Sequence, residues 1–375
     1  MDRREFFAVS GIGTASILMG QENSSFDLGR IRSDWLALLG PFPESVPDPE
    51  FVIREVFQDE THLRHHVKFR SEKDDWVTAW LMVPKKPRTA PGSKTAPAVL
   101  CIHPTTGGTG KDRVAGLAGL KPGSPPNTTE KNRASDNSRA YGLELVQRGY
   151  VTLCIDLLTD GERISPGLAP YDSRAFYQKH PKWSMVGKNL WDAMRAIDFL
   201  TTRPEVDRAR IACVGHSLGG HSSLFTAAFD GRVRAAVCNG GVYGWMRPED
   251  HWARPGGYAK IVVGEKAAPG VGRYTYIKNF ASYLKDPNKP VPVDFDDLMM
   301  MVCPRGLFVS GTNTEFKQYN MDTKVARIKS HYFEVLGQRP SRPDMKQFRS
   351  LSYPGSHGFP DEVRDNAWQW LDEVL

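Results

Sequence analysis

The chain has 375 residues, of which 40% are hydrophobic and 25% charged, as is typical of a globular protein. Its formal net charge of +6 comes from basic residues scattered among acidic ones, so composition does not favour a nucleic-acid-binding protein. No segment reaches the ~20 apolar residues that a membrane-spanning helix needs, so we expect no stable membrane span.

The first 20 residues have the pattern of an export signal. Arg3 and Arg4 precede a weakly hydrophobic run, Phe6 to Met19, that is rich in Gly, Ala and Ser. A charged start followed by a short apolar stretch is typical of secretory signals, and the arginine pair followed by "EFF" resembles a twin-arginine signal. We therefore predict export to the periplasm or the extracellular space and exclude residues 1–20 from the fold.

Residues 21–50 are predicted to form an N-terminal extension with one short helix, Ile31 to Leu39. Three β-like runs follow, at 51–57, 62–70 and 76–83, with mixed polar and apolar residues and short turns between them. This pattern predicts antiparallel strands at one edge of a sheet.

From residue 98 onward, short apolar runs alternate with helix-length amphipathic segments. Such runs suit strands that are buried on both faces, as in a parallel sheet covered by helices. The sequence thus predicts an α/β fold over 51–375, with a mostly parallel central sheet, antiparallel N-terminal strands and helices on both faces. Long connections at 104–134 and 242–303 are predicted to be insertions that shape the substrate site. The predicted parallel strands are 98–103, 150–157, 210–215, 234–239, 306–311 and 349–354.

Five cysteines lie in or next to these apolar runs. Their number is odd and their spacing matches no metal-binding motif, so we expect no disulfide framework and no metal site.

The strongest motif is Gly215-His216-Ser217-Leu218-Gly219, which matches the G-x-S-x-G nucleophile elbow. A buried strand leads into it and an apolar helical stripe follows it. The two glycines allow the sharp turn that exposes a serine, and the following helix N-terminus offers N–H groups to an oxyanion. Ser217 is therefore the predicted nucleophile.

A serine hydroxyl needs a base to attack at neutral pH. His357, in "YPGSHGFP", follows the last predicted strand and precedes the last helix. This is the position that the base takes when the chain order is nucleophile, acid, base. His357 is therefore the predicted general base.

The segments "GHSLGGHSSLFTAAFD", "CIHPTTGGTGK" and "PGSHGFP" resemble the dienelactone hydrolase and acetyl xylan esterase-like group of secreted bacterial α/β-hydrolases. The resemblance implies an α/β-hydrolase fold, a Ser–acid–His triad and no required cofactor. It also implies an oxyanion hole formed by the N–H groups of Leu218 and of Thr105, with Thr106 as a near alternative to Thr105.

The acid is the open member of the triad. In enzymes of this kind it usually follows the strand that precedes the histidine segment, where this chain has "GTNTEF" in a predicted polar loop. The family tends to have Asp where Asn313 or Thr314 stands here. Glu315 is the preferred acid, Glu249 or Asp250 after the preceding strand are alternatives, and Asn313 would be a weakened substitute.

These features favour a serine carboxylic-ester hydrolase that acts through an acyl-enzyme on Ser217. A small-molecule or carbohydrate ester, including acetylated carbohydrate, is the expected substrate. There are two alternatives: a prolyl-oligopeptidase-like peptidase, and a non-catalytic binding protein on a hydrolase scaffold. The first is disfavoured because the chain has too few residues ahead of the β-rich segment for that family's propeller domain. The sequence does not indicate the oligomeric state.

Overall fold

The computed structural model of the chain describes residues 26–48, 50–90, 92–117, 139–242, 276–280, 283, 290–337 and 346–375. The predicted export signal and the alternative acids Glu249 and Asp250 lie outside these residues. Large parts of the two predicted insertions also lie outside them. The boundaries of the N-terminal extension and of the catalytic domain stay predictions.

The described part contains nine strands and ten α-helices. The strands are β1 Phe51–Gln58, β2 His62–Glu72, β3 Asp75–Pro84, β4 Ala96–Ile102, β5 Val151–Ile155, β6 Val206–His216, β7 Val233–Asn239, β8 Gly306–Thr312 and β9 Phe348–Tyr353. The helices are α1 Leu28–Leu39, α2 Lys111–Val114, α3 Tyr141–Gln147, α4 Arg174–Lys179, α5 Met185–Thr202, α6 Leu218–Phe229, α7 Phe295–Val302, α8 Asn313–Gln318, α9 Met321–Leu336 and α10 Asp361–Val374.

All nine strands form one sheet in the order β1-β2-β3-β5-β4-β6-β7-β8-β9. The strands β1, β2 and β3 pair antiparallel with their neighbours, including β3 with β5. The strands from β5 and β4 through β9 pair parallel. The predicted α/β-hydrolase sheet, parallel with an antiparallel N-terminal edge, is confirmed.

Helices cover both faces of this sheet, as predicted. One hydrophobic cluster joins one face to α1, α5, α6, α7 and α9. A second cluster joins the opposite face to α3 and α10. Within the described residues, no helix combines the length and the apolar character needed to cross a bilayer.

The segment after β8 is a short helix and not the predicted polar loop. Thr312 caps α8, because its hydroxyl accepts the N–H of Glu315 at 3.1 Å while the Glu315 carboxylate accepts the N–H of Thr312 at 2.8 Å. This reciprocal arrangement is the capping box that Thr-x-x-Glu sequences form. It satisfies two N–H groups at the helix start, so the polar segment folds as α8.

The parallel topology brings the functional candidates to one edge of the sheet. Ser217 follows β6, Glu315 lies just beyond β8, and His357 follows β9. Because parallel strands end at the same edge, the three side chains converge there although 140 residues separate the first from the last.

A buried ionic cluster links β2 and β3 to α5. The Lys188 ammonium lies 2.5 Å from Asp192 Oδ1, 2.6 Å from Asp75 Oδ2 and 2.9 Å from Ser71 Oγ. The side chains of Lys188 and Asp192 are almost fully buried, at 2% and 0% exposure. Arg163 also pairs with Asp192 at 2.7 Å. A charge so far from water is stable only while its partners remain.

Replacing Lys188 with Met should therefore destabilise the fold by about 3 kcal/mol or more, since Asp192 would lose one of its two cationic partners. Urea unfolding measures the change. The matched control is Arg30→Met, which removes an exposed pair with Asp34 at 3.6 Å and should change stability by no more than ~0.5 kcal/mol. If the two substitutions lowered the free energy of unfolding equally, the buried cluster would contribute no more to stability than the exposed pair.

Candidate active site

Ser217 stands in a strained backbone conformation at the turn from β6 to α6. Its φ of 56° and ψ of −120° lie in a region that residues with a side chain rarely adopt. A hydrogen bond from the Ser217 N–H to the carbonyl oxygen of Asn239, at 2.8 Å, holds the turn against β7. This is the geometry of a nucleophile elbow.

The two glycines of the motif are required by close packing. A Cβ on Gly215 would lie 2.1 Å from the carbonyl oxygen of Gly219. A Cβ on Gly219 would lie 1.9 Å from the carbonyl oxygen of Ile102, at the end of β4. Neither contact could be relieved by a side-chain movement, since both involve backbone atoms. The spacing G-x-S-x-G therefore follows from how tightly α6 meets the sheet.

Leu218 is the first residue of α6. First-turn N–H groups have no acceptor within their own helix, and the positive end of the helix dipole lies there. The Leu218 N–H, one residue after Ser217, is thus a candidate donor to an oxyanion at the serine.

The predicted base and the preferred acid are in contact. The Nδ1 atom of His357 lies 2.6 Å from Oε1 of Glu315. The His357 side chain is 39% exposed and the Glu315 side chain 16%. With Nδ1–H donated to the carboxylate, the Nε2 atom of His357 is left as the basic nitrogen.

The second carboxylate oxygen of Glu315 is held by the cap of α8. Oε2 accepts hydrogen bonds from the backbone N–H of Thr312 at 2.8 Å and from its hydroxyl at 3.0 Å. Burial would raise the pKa of Glu315, but the hydrogen bonds from His357 and Thr312 prevail and lower it. Glu315 is therefore a carboxylate at neutral pH, fixed in direction by the helix that it caps.

His357 lies against the nucleophile elbow. Its ring centroid is 4.7 Å from that of His216, the residue just before Ser217. A Cβ on Gly240, which follows the carbonyl that binds the Ser217 N–H, would lie 2.9 Å from Cε1 of His357. The Ser217 hydroxyl and the imidazole make no hydrogen bond to each other among the described residues. Such contacts often tighten only when substrate binds.

Asn313, the weakened substitute, does not make the contact with the imidazole. Asn313 is exposed at the first position of α8, and the contact at His357 Nδ1 is made by Glu315. Glu249 and Asp250 fall outside the described residues.

Thr105 and Thr106 lie just after β4, on the loop expected to supply the second oxyanion donor. The Thr106 N–H donates to the Tyr171 hydroxyl at 2.6 Å, so this amide is already engaged. Thr105 is exposed, and its N–H has no hydrogen-bond partner among the described residues. Of the two candidate amides, Thr105 is thus the one free to meet an oxyanion.

A buried network fixes that loop. The Asp160 carboxylate, fully buried, accepts hydrogen bonds from the hydroxyls of Tyr171 and Thr106. The Thr106 hydroxyl in turn accepts the Gly110 N–H at 2.8 Å. Burial and the neighbouring Asp160 charge raise the pKa of Tyr171 far above its usual value, so its hydroxyl keeps the proton that it donates.

Sequence reasoning missed two features of this site. The role of Thr312 was signalled by its place three residues before Glu315, the spacing of a capping box. The Tyr171 contact with the Thr106 loop had no comparable signal, because the two residues are 65 positions apart. Within the described residues, no group of three or more His, Cys, Asp or Glu side chains could hold a metal ion.

Comparison with known proteins agrees with this architecture. A model of fungal glucuronyl esterases matches residues 171–337. The chain is 26% identical over 194 residues to 4-O-methyl-glucuronoyl methylesterase 1 of Wolfiporia cocos, which covers 50% of this chain and 45% of that protein. The chain spans less than half the length of the curated relatives that it matches.

Solved structures share the fold. A glucuronoyl esterase from Solibacter usitatus superposes with a TM-score of 0.66 and 18% identity, covering 94% of this chain and 92% of the other. An acetyl xylan esterase from Paenibacillus sp. R4 gives 0.53 and 16%, covering 88% and 90%. The Abhydrolase family model matches residues 31–244, more than half of the 375 residues. The chain belongs to the Abhydrolase family.

Proposed function

We propose that this protein is a serine carboxylic-ester hydrolase that acts on esterified carbohydrate. The observation that carries the proposal is the His357–Glu315 pair, 2.6 Å apart, beside a serine in an elbow conformation. A non-catalytic role would not need a strained serine, a base and an ionised acid at one sheet edge.

The geometry supports a two-step reaction. Ser217 Oγ attacks the ester carbonyl carbon while His357 Nε2 takes its proton, and Glu315 stabilises the imidazolium through Nδ1–H. The N–H groups of Leu218 and Thr105 bind the oxyanion of the tetrahedral intermediate. His357 then protonates the leaving alcohol, and in the second step it activates the water that releases the acid from Ser217.

The carbohydrate part of the proposal is supported by the comparisons. The fungal glucuronyl esterase model covers 171–337, a range that includes the elbow and Glu315. The matched methylesterase and the structural neighbours are named for esters of sugars or sugar acids. These names cover two chemistries, with the sugar on the acyl side in glucuronoyl esters and on the alcohol side in acetyl xylan. Both fit one acyl-enzyme mechanism.

Replacing Ser217 with Ala should abolish the acyl-enzyme and lower kcat by at least ~10⁴-fold on every ester that the protein hydrolyses. The panel comprises a methyl ester of glucuronic acid, acetylated xylo-oligosaccharide and p-nitrophenyl acetate. Ser223→Ala is the matched control, since Ser223 donates to the Gly219 carbonyl at 2.9 Å within α6 and should have little effect.

Inactivity of the wild type on the whole panel would contradict the ester hydrolase proposal. Activity on the aryl ester alone would leave a serine esterase and remove the carbohydrate assignment.

Glu315→Gln should lower kcat by about 10²–10⁴-fold, because an amide cannot stabilise the imidazolium and favours the wrong tautomer. Glu249→Gln and Asp250→Asn, measured beside it, should keep wild-type kcat. If Glu315→Gln kept full activity while one of the other two lost it, the acid would be misassigned.

Thr312→Val should lower kcat by about tenfold, since it removes the hydroxyl that holds Oε2 of Glu315 while keeping the side-chain shape. Thr312→Ser restores a hydroxyl and should recover most of the activity. Equal rates for the two variants would show that the cap does not orient the acid.

A further inference from the structure

Asn239 is the last residue of β7, which lies in the sheet between β6, the strand before Ser217, and β8, the strand before Glu315. It is fully buried. Its backbone carbonyl accepts the Ser217 N–H at 2.8 Å, and the next residue, Gly240, donates its N–H to the Ser310 carbonyl at 2.7 Å. The Asn239 main chain therefore joins the nucleophile elbow to β8.

The Asn239 side chain spans the other parts of the site. Its Nδ2 lies 2.6 Å from the carbonyl oxygen of Gly358, the residue after the base, and 2.8 Å from Nδ1 of His216. Its Oδ1 lies 2.8 Å from Ser310 Oγ and 3.0 Å from the Tyr353 hydroxyl. The Tyr353 hydroxyl is also 2.6 Å from the Gly358 carbonyl and can donate to only one of the two at a time.

The partners determine which way the amide points. A backbone carbonyl can only accept, so the group that faces the Gly358 oxygen must be the NH₂. The same NH₂ lies 2.8 Å from Nδ1 of His216 and can donate to it only when that nitrogen carries a lone pair and no proton. A neutral His216 is then the tautomer with its proton on Nε2.

His216 is also held neutral. Its ring is fully buried, and its Nε2 has no hydrogen-bond partner among the described residues. Burial, and next the charge of a protonated His357, lower the pKa of His216 well below its usual value. The His357 ring thus has an uncharged neighbour at 4.7 Å, which does not compete with it for a proton.

We propose that Asn239 is a positioning residue for the hydrolytic reaction: its NH₂ ties the backbone after His357 to the residue before Ser217 and sets the tautomer of His216. The inference rests on the proposed function. Two contacts hold the loop that carries His357: Glu315 binds the imidazole, and Asn239 binds the carbonyl of the following residue, Gly358. Together they fix the position of His357 relative to the nucleophile elbow.

Asn239→Asp tests this directly. It keeps the acceptor that faces Ser310 and Tyr353 but places an oxygen opposite the Gly358 carbonyl oxygen, which should displace the base loop. A displacement of ~1 Å in a catalytic group costs about 10²-fold in rate, so we expect kcat to fall by about that factor with KM nearly unchanged.

The matched control is Asn189→Asp, the same change at another buried asparagine. Asn189 accepts the Leu158 N–H at 3.0 Å through Oδ1, an acceptor that aspartate retains. Its kcat should stay within about threefold of wild type. Asn239→Ala, which removes the donor without adding charge, carries the test if Asn239→Asp does not fold. A folded Asn239 variant with the kcat of the control would overturn the proposal, as would a loss confined to KM.

A second measurement does not depend on activity. Nitrogen-15 NMR of the wild-type protein labelled at histidine, with His216→Gln for assignment, should show His216 at neutral pH with a bare Nδ1 and a protonated Nε2. A proton on Nδ1, or a charged ring, would overturn the proposal even if the esterase activity is found. An inert wild type with the expected tautomer would instead overturn the esterase function and leave the Asn239 contacts intact.

Discussion

The site depends on one backbone conformation, that of Ser217. A positive φ at a residue with a side chain is unfavourable by about 1–3 kcal/mol, so the surroundings must impose it. Two features of the surroundings impose it here. The backbone packs so closely at Gly215 and Gly219 that a Cβ at either position would clash, and the Ser217 N–H donates a hydrogen bond to the Asn239 carbonyl. This strained turn places Ser217 at the sheet edge, between the end of β6 and the first residue of α6.

The fold was predictable because its signals are local. Apolar runs such as 98–103 and 234–239 suit strands that are buried on both faces of a covered parallel sheet, and all nine predicted strands are present. The elbow and His357 were predictable for a similar reason, since each stands directly after a strand. Chain order along a parallel sheet then places them at one edge.

Contacts between distant segments were not predictable. Tyr171 reaches the loop after β4 with a backbone φ of 62°, a conformation that no local pattern around it indicates. The acid was open for a different reason. An aspartate was expected at Asn313 or Thr314, but the chain starts a helix there, and Glu315 reaches His357 from the first turn of that helix. The polar composition of this segment suggested a loop, whereas the capping box of Thr312 and Glu315 makes it a helix.

Because the Glu315 carboxylate both caps α8 and binds the His357 imidazole, the proposed catalysis would depend on the local stability of a six-residue helix. Helix ends fray at a small fraction of the free energy of global unfolding. Each opening of the first turn of α8 would free Oε2 from Thr312 and allow Oε1 to leave His357, while the nine-stranded sheet stays intact. Heating would therefore abolish the proposed esterase activity reversibly before the sheet unfolds, so the temperature of inactivation and the temperature of global unfolding need not coincide.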